Sequence, residues 1–208
     1  MRTFPGVVHA NGNLICSLDW ETTGKVPGHH EIVQVAIVPL DNNLKPLDSI
    51  RPFYQNIKPL HPERVEPQAM RTNRLSLSEL VQFAPEPGKV ADLLREWFEA
   101  LDLPQSKKLM PLAHNWAFES AFTINWLGDD EKDAIFHPHV RDSMRLATAI
   151  NDLCAFHGGK LPFPSVSLET LCNKLKVENL SPHDALSDSL ATAECYRRLI
   201  CMLPDLLL

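Results

Sequence analysis

The sequence lacks the long apolar runs that cross membranes or direct secretion. Its uninterrupted apolar stretches, such as residues 35–38, are only a few residues long, whereas a membrane helix needs about 20. The first residues carry no apolar signal core. The five cysteines form no C-x-x-C pair and have apolar neighbours, which is typical of buried thiols. These absences predict a soluble, cytoplasmic chain with no membrane partner.

The sequence also lacks an excess of basic residues. Its 20 lysines and arginines are outnumbered by 26 acidic residues, so the net charge is −6. Proteins that bind duplex nucleic acid by neutralising its phosphates are normally basic. The charge therefore argues against broad, sequence-independent duplex binding. Bound cations can still supply positive charge at one small site.

The sequence is long enough for one folded domain. Its 208 residues, 44% of them hydrophobic, fit a single domain over residues 1–208 with a core from about 14 to 200. We find no repeat, low-complexity tract or long linker. The 17 prolines are spread through the turns.

Periodicity and turn residues predict three strands, followed by strands that alternate with helices. The strands are predicted at 14–19, 32–40, 50–58, 109–114 and near 140, and the helices within 67–101 and at 116–127, 142–155, 167–175 and 182–202. Asn115 and Ser181 are predicted to cap the helices that follow them, Ser181 in a box with Asp184. This order predicts an α/β fold with a mixed five-stranded sheet flanked by helices.

Two carboxylates end the most apolar predicted strand, in the motif Asp19-Trp20-Glu21-Thr22. Residues i and i+2 of a strand share a face, so Asp19 and Glu21 project side by side. Two like charges this close repel each other, and a divalent cation such as Mg²⁺ or Mn²⁺ relieves the repulsion. A strand that simply finishes in polar residues is the alternative.

A second motif, His114-Asn115-Trp116-Ala117-Phe118-Glu119, lies where a strand turns into a helix. Glu119 falls in the first helical turn, beside the positive end of the helix dipole. It is a candidate metal ligand, although acidic residues are common and mildly stabilising at this position.

A third motif opens the last predicted helix with His183 and Asp188. If both residues are helical, their spacing of five places them roughly 140° apart, so they should not bind one ion from the same face. The spacing suits separate roles, with Asp188 binding a metal and His183 activating a water as general base. An ordinary polar helix start is the alternative.

In this order, the motifs D-x-E-T, H-N-x-x-F-E and H-x-x-x-x-D resemble those of the DnaQ-like DEDDh 3′→5′ exonucleases, which share the ribonuclease H-like fold. The resemblance covers residues from about 14 to 199, nearly the whole chain. It implies a metal-dependent hydrolase that cleaves the terminal phosphodiester at 3′ ends of single-stranded DNA or RNA.

Matching the family's motifs implies a role for each of seven residues. They are Asp19, Glu21, Glu119 and Asp188 as ligands of two divalent cations, Mg²⁺ or Mn²⁺, His183 as general base, and Thr22 and Thr23 as neighbours of the terminal nucleotide. The two cations would act by the two-metal mechanism.

One position departs from the family pattern, because the second motif ends in Glu119 where the family has Asp. The extra methylene moves the carboxylate by roughly one bond length, and magnesium sites are sensitive to geometry. We expect activity to survive with an altered rate or metal preference. The alternative is a catalytically weak or silent nucleic-acid-binding module of the same fold.

Several features leave alternatives open. Asp142 is expected to cap a helix rather than to bind metal. Arg64, Arg71 and Arg74 lie in a region where strand contacts are possible, although a solvated helical surface is slightly favoured. The sequence does not decide between DNA and RNA. A polymerase or repair partner on a separate chain, or a homodimer, also stays open.

Overall fold

A five-stranded mixed sheet forms the centre of the molecule. The structure, a computed structural model, describes residues 8–206. The strands are β1 (Leu14–Thr22), β2 (Ile32–Pro39), β3 (Phe53–Asn56), β4 (Leu109–Ala113) and β5 (Arg141–Asp142). Their order across the sheet is β3-β2-β1-β4-β5. β1 and β2, and β2 and β3, are antiparallel, whereas β1 and β4, and β4 and β5, are parallel.

Eight α-helices surround the sheet within residues 8–206. They are α1 (Pro67–Asn73), α2 (Leu77–Phe83), α3 (Pro87–Ala100), α4 (Trp116–Leu127), α5 (Asp129–Ile135), α6 (Ser143–Phe156), α7 (Leu168–Leu175) and α8 (Ala185–Leu206). None of these helices combines the length and apolar character that a membrane crossing needs. The sequence pattern missed α5, and the predicted helical region 67–101 is divided into the three helices α1, α2 and α3.

β1 lies at the centre because both of its faces are covered. Leu18 and Trp20 on one face belong to the core cluster that includes residues of α3 and α4. Ile15 on the other face packs with residues of β2, β4 and α8. On that second face, Ser17 Oγ donates a 2.6 Å hydrogen bond to the Ser189 carbonyl of α8. This hydrogen bond holds the long helix α8 beside the strand that carries Asp19.

The predicted helix caps required correction. Asn115 has a φ of 100° and makes no capping hydrogen bond with its side chain; instead Asp142 Oδ2 accepts from Trp116 N at 2.9 Å. Asp142 Oδ1 also accepts from Arg145 N, which confirms its expected role as the α6 cap. Asp142 thus serves the starts of two neighbouring helices.

The N-cap prediction for Ser181 was wrong, because α8 begins at Ala185 rather than at 182. Asp184 occupies the capping position, where its Oδ1 accepts from Ser187 N at 3.0 Å. The residues before it form a separate turn, closed by the bond from Asp184 N to the Ser181 carbonyl. This turn carries His183 out of the helix.

The cysteines are mostly buried, as the sequence indicated, and all five are free. Cys16, Cys172 and Cys195 are buried and Cys154 is half-buried. Cys201 is exposed, so the expectation of a buried thiol was wrong there.

Candidate metal centre

The end of β1 brings two carboxylates onto the sheet face that is covered by α8. Burial raises the pKa of Asp19 well above its ordinary range, and the charges of Glu21, Asp188 and Glu119 raise it further. Burial, followed by the charges of Asp188 and Asp184, raises the pKa of Glu21 to about 8. Without a counter-charge, these carboxylates resist ionisation together at neutral pH.

Glu119, in the first turn of α4, supplies another carboxylate. It is only 4% exposed, and its Oε2 has no hydrogen-bond partner among the described residues. Burial raises its pKa well above the ordinary value. Trp20 Nε1 donates to the Glu119 carbonyl at 3.2 Å and to Thr123 Oγ1 at 3.0 Å, which fixes α4 against β1. The charge of Glu119 also raises the pKa of Asp19, but Glu119 is not part of the group of ligand atoms that Glu21, His183 and Asp188 form.

Asp188 lies in the first turn of α8, and each of its two carboxylate oxygens accepts a hydrogen bond. Asn179 Nδ2 donates to Oδ1 at 2.6 Å, and His183 N donates to Oδ2 at 3.2 Å. The carboxylate is buried, and this burial raises its pKa despite the two donors. Its orientation is therefore fixed before any ligand binds.

His183 approaches these carboxylates more closely than the sequence predicted. Ligand atoms of Glu21, His183 and Asp188 all lie within 4.8 Å of one another. The expectation that His183 and Asp188 should not bind one ion applied only if both residues were helical, and His183 lies before the start of α8. His183 has a φ of 66° in the turn before α8, and this left-handed conformation turns its imidazole toward Glu21.

A hydrogen-bond network around the buried Gln34 holds this turn against the sheet. Gln34 on β2 is 3% exposed, and its Oε1 accepts from Ala185 N at 2.9 Å. Its Nε2 donates to Tyr54 Oη at 3.0 Å and to Asn56 Oδ1 at 2.9 Å. Tyr54 Oη in turn donates to Asp184 Oδ2 at 2.5 Å. The start of α8 is thus fixed to β2 and β3.

This network does not follow from the sequence motifs. One signal was available, because Gln34 is a polar residue inside the otherwise apolar segment 32–40. A buried amide needs partners for its donors and its acceptor. The positions of those partners, more than 15 residues away along the chain, follow only from the fold.

Thr22 and Thr23 are buried at the bend that follows β1. Thr22 Oγ1 donates to the Gly24 carbonyl at 2.7 Å, and Thr23 Oγ1 accepts from Glu31 N at 2.9 Å. Both hydroxyls therefore help to build the bend. Contact between these residues and a terminal nucleotide stays a prediction.

The donor set of the centre fits divalent cations. Ligand atoms of Glu21, His183 and Asp188 meet at the end of β1, and Asp19 is coupled by charge to Glu21 and Asp188. Hard carboxylate oxygens suit Mg²⁺ or Mn²⁺. The unpartnered, buried Oε2 of Glu119 is the observation that points to a missing positive partner, because buried polar atoms are almost always satisfied. A cation would also relieve the repulsion that raises the pKa values of Asp19 and Glu21.

The model of the RNase T family, described as Exonuclease, matches residues 16–196 and so spans all three motifs. The chain belongs to this exonuclease family. The resemblance to DnaQ-like exonucleases is thereby confirmed at the level of the family. No curated protein sequence matches the chain significantly.

Solved structures of other exonucleases share the fold. Escherichia coli exonuclease I in complex with a dT13 oligonucleotide has a TM-score of 0.75 at 21% identity, over 94% of this chain and 42% of that one. Exonuclease I from Methylocaldum szegediense has a TM-score of 0.71 at 20% identity, over 93% of this chain and 42% of its own. The predicted ribonuclease H-like fold is confirmed.

A 3′-exonuclease that recognises the 3′ end of the histone mRNA stem-loop is also similar. Its TM-score is 0.67 at 18% identity, over 94% of this chain and 65% of that one. The chain therefore spans about two fifths of the length of the two exonucleases I and about two thirds of this enzyme.

Proposed function

We propose that this member of the exonuclease family is a metal-dependent 3′→5′ exonuclease that hydrolyses the terminal phosphodiester of single-stranded nucleic acid. The observation that carries the proposal is the meeting of Glu21, His183 and Asp188 within 4.8 Å. These residues come from opposite ends of the chain. Asp19 is coupled by charge to Glu21 and Asp188, and Glu119 is coupled by charge to Asp19.

Asp19, Glu21, Glu119 and Asp188 would hold two divalent cations, Mg²⁺ or Mn²⁺. Cations bound there would lower the pKa of the attacking water and stabilise the charged oxygens of an in-line displacement. The protein's own contribution is to orient the carboxylates in advance. Asn179 and the His183 backbone do this for Asp188, and the rigid strand does it for Asp19 and Glu21.

His183 would act as the general base that removes a proton from the attacking water. Imidazole is the side chain best suited to accept a proton at neutral pH. His183 is exposed to solvent while its backbone N–H is held by Asp188. The ring therefore stands at the edge of the centre, where a water and a strand end have access.

Single-stranded 3′ ends are the substrate class that we infer. Two relatives support this choice, since exonuclease I is described with dT13 and dA16 oligonucleotides and the other enzyme with the 3′ end of an mRNA stem-loop. The net charge of −6 also suits a short, locally held strand end better than a long duplex. DNA and RNA are to be compared directly.

The test is degradation of a 5′-labelled single strand in Mg²⁺ or Mn²⁺. We expect a ladder of products that shortens from the 3′ end, with matched DNA and RNA strands run in parallel. Asp19→Asn should abolish the ladder because it removes a central carboxylate. Asp152→Asn, a change of an exposed carboxylate on α6, should leave the ladder unchanged. Equal background with native protein and Asp19→Asn would refute the proposal.

A further inference from the structure

A cavity of about 540 Å³ opens beside the candidate metal centre, and His183 and Asp188 form part of its wall. Side chains of α7 and of the segment that precedes α8 line another part. Arg74, which follows α1, is the one lysine or arginine that lines it within residues 8–206. A substrate strand that enters this cavity meets the centre and a guanidinium together.

Arg74 occupies a conformation that favours glycine. Its φ is 57° and its ψ is 19°, which places it in the left-handed region at the C-terminal cap of α1. A side chain with a Cβ atom is strained there, and strained residues cluster at binding and catalytic sites. Glycine would adopt this conformation with less strain, so an arginine at this position suggests a role for its guanidinium.

The segment that carries Arg74 is hydrogen-bonded to the end of β1 and to the residue that follows it. Asn73 is buried and donates from Nδ2 to the Thr22 carbonyl at 3.4 Å. At the other end of α1, Glu66 N donates to the Thr23 carbonyl at 2.8 Å. The position of Arg74 is therefore fixed relative to the strand that bears Asp19 and Glu21.

The guanidinium of Arg74 has no ion pair or hydrogen bond to any residue in the described part of the chain. Its neighbours differ, because Arg71 donates to Gln68 Oε1 at 2.8 Å and Arg64 lies 3.7 Å from a Glu63 oxygen. An unpaired guanidinium that lines the same cavity as His183 and Asp188 is available for an anion that enters this cavity.

We propose that Arg74 binds a phosphate of the substrate strand, next to the phosphodiester that is cleaved. This inference rests on the proposed exonuclease function and names a binding residue for it. A nucleic acid strand carries a negative charge at every phosphate, and the carboxylates of the centre repel the strand. A guanidinium matches phosphate oxygens with two parallel N–H donors, and Asn173 in the same wall offers a further polar group.

The decisive variant is Arg74→Gly, because it removes the charge and suits the backbone conformation. We expect its thermal midpoint to equal or exceed that of the native protein. Its KM for a single strand should rise about tenfold or more, as expected for a lost charge-assisted contact, with kcat changed less than about twofold. The slope of log(kcat/KM) against log salt should become shallower by about 0.7, the value for one phosphate contact on a single strand.

Two further variants separate charge from structure. Arg74→Asn also tolerates the left-handed conformation and should reproduce the effects of Arg74→Gly. Arg74→Lys should keep the native salt slope, because it keeps the charge, while its KM lies between the two. Lys89→Ala is the control, since Lys89 is an exposed basic residue on α3 and does not line the cavity. It should behave as the native protein.

A native KM and a native salt slope in Arg74→Gly would overturn the inference, even if the native protein degrades strands as proposed. If the native protein does not cleave, binding can be measured separately by the fluorescence anisotropy of a labelled single-stranded oligonucleotide in Ca²⁺. Weaker binding with a shallower salt slope in Arg74→Gly then supports the phosphate subsite, and equal binding refutes it. The two proposals therefore fail in distinguishable ways.

Discussion

Crowding of carboxylates at the end of β1 has a measurable cost in the metal-free protein. Glu21 is partly buried beside Asp19 and Asp188, and no cation balances these charges when metals are removed by chelation. Replacing Glu21 with glutamine keeps the shape of the side chain and removes its charge. We therefore expect Glu21→Gln to be more stable than the native protein in a chelator at neutral pH.

The size of the effect follows from the pKa of Glu21, which burial and neighbouring charges raise from 4.5 to about 8. An acid whose pKa is raised in the folded state costs no stability below its unfolded pKa, because both states are then protonated. As the pH rises toward the folded pKa, only the unfolded state ionises, and the protein loses stability. At pH 7 the unfolded chain favours ionisation by about 2.5 pKa units (7 − 4.5), which corresponds to about 3 kcal/mol. Water screens part of this cost at a half-buried group, so we expect about 1–3 kcal/mol.

Denaturant unfolding in a chelator measures this difference. At pH 7 the free energy of unfolding of Glu21→Gln should exceed that of the native protein. At pH 5 the difference between the two free energies should shrink to less than about 1 kcal/mol. Saturating Mg²⁺ should stabilise the native protein more than the variant, because ligand binding favours the folded state. Glu99→Gln, at an exposed glutamate of α3, is the control and should change neither value. A Glu21→Gln variant that is equally or less stable in a chelator at pH 7 refutes the reasoning.

Three further outcomes are expected. Tyr54→Phe removes the bond to Asp184 and should lower kcat about fivefold, equivalent to about 1 kcal/mol of lost positioning; an unchanged kcat argues against a positioning role. Glu119→Asp should change kcat by less than about tenfold, whereas a large gain from background activity shows that the native chain is a silent module. Asp142→Ala removes the acceptor of Trp116 N and the α6 cap, and denaturant unfolding should show a loss of about 2 kcal/mol; a loss below about 0.5 kcal/mol contradicts this.

The sheet could be predicted because the local residue pattern indicates its central strands. Residues 14–19 and 109–114 are nearly continuous apolar runs, which is what a strand covered on both faces requires. The alternation within β1 also fixed the shared face of Asp19 and Glu21. Both features depend on neighbouring residues alone, so the pattern sufficed.

The approach of His183 could not be predicted, because it depends on where α8 begins. Pro182 and Ser181 favour an early helix start, yet the chain makes an extra turn and His183 takes a left-handed φ of 66°. The bond between Gln34 and Ala185, which spans most of the sequence, holds that turn in place. Local periodicity carries no information about such a contact.

α5 was missed for a related reason. Its sequence, Asp129 to Ile135, is short and strongly acidic at its start, so it lacks the apolar repeat from which helices are recognised. Ile135 and the following Phe136 are buried in the core cluster beside β1. Tertiary packing rather than local pattern stabilises this helix.

Anomalous diffraction from crystals soaked with Mn²⁺ and a nucleoside monophosphate tests the central claim most directly. We expect manganese peaks among the carboxylates of Asp19, Glu21, Glu119 and Asp188, and their loss in Asp19→Asn. Crystals that diffract well, contain the nucleotide and show no manganese at the end of β1 would contradict the metal-dependent exonuclease.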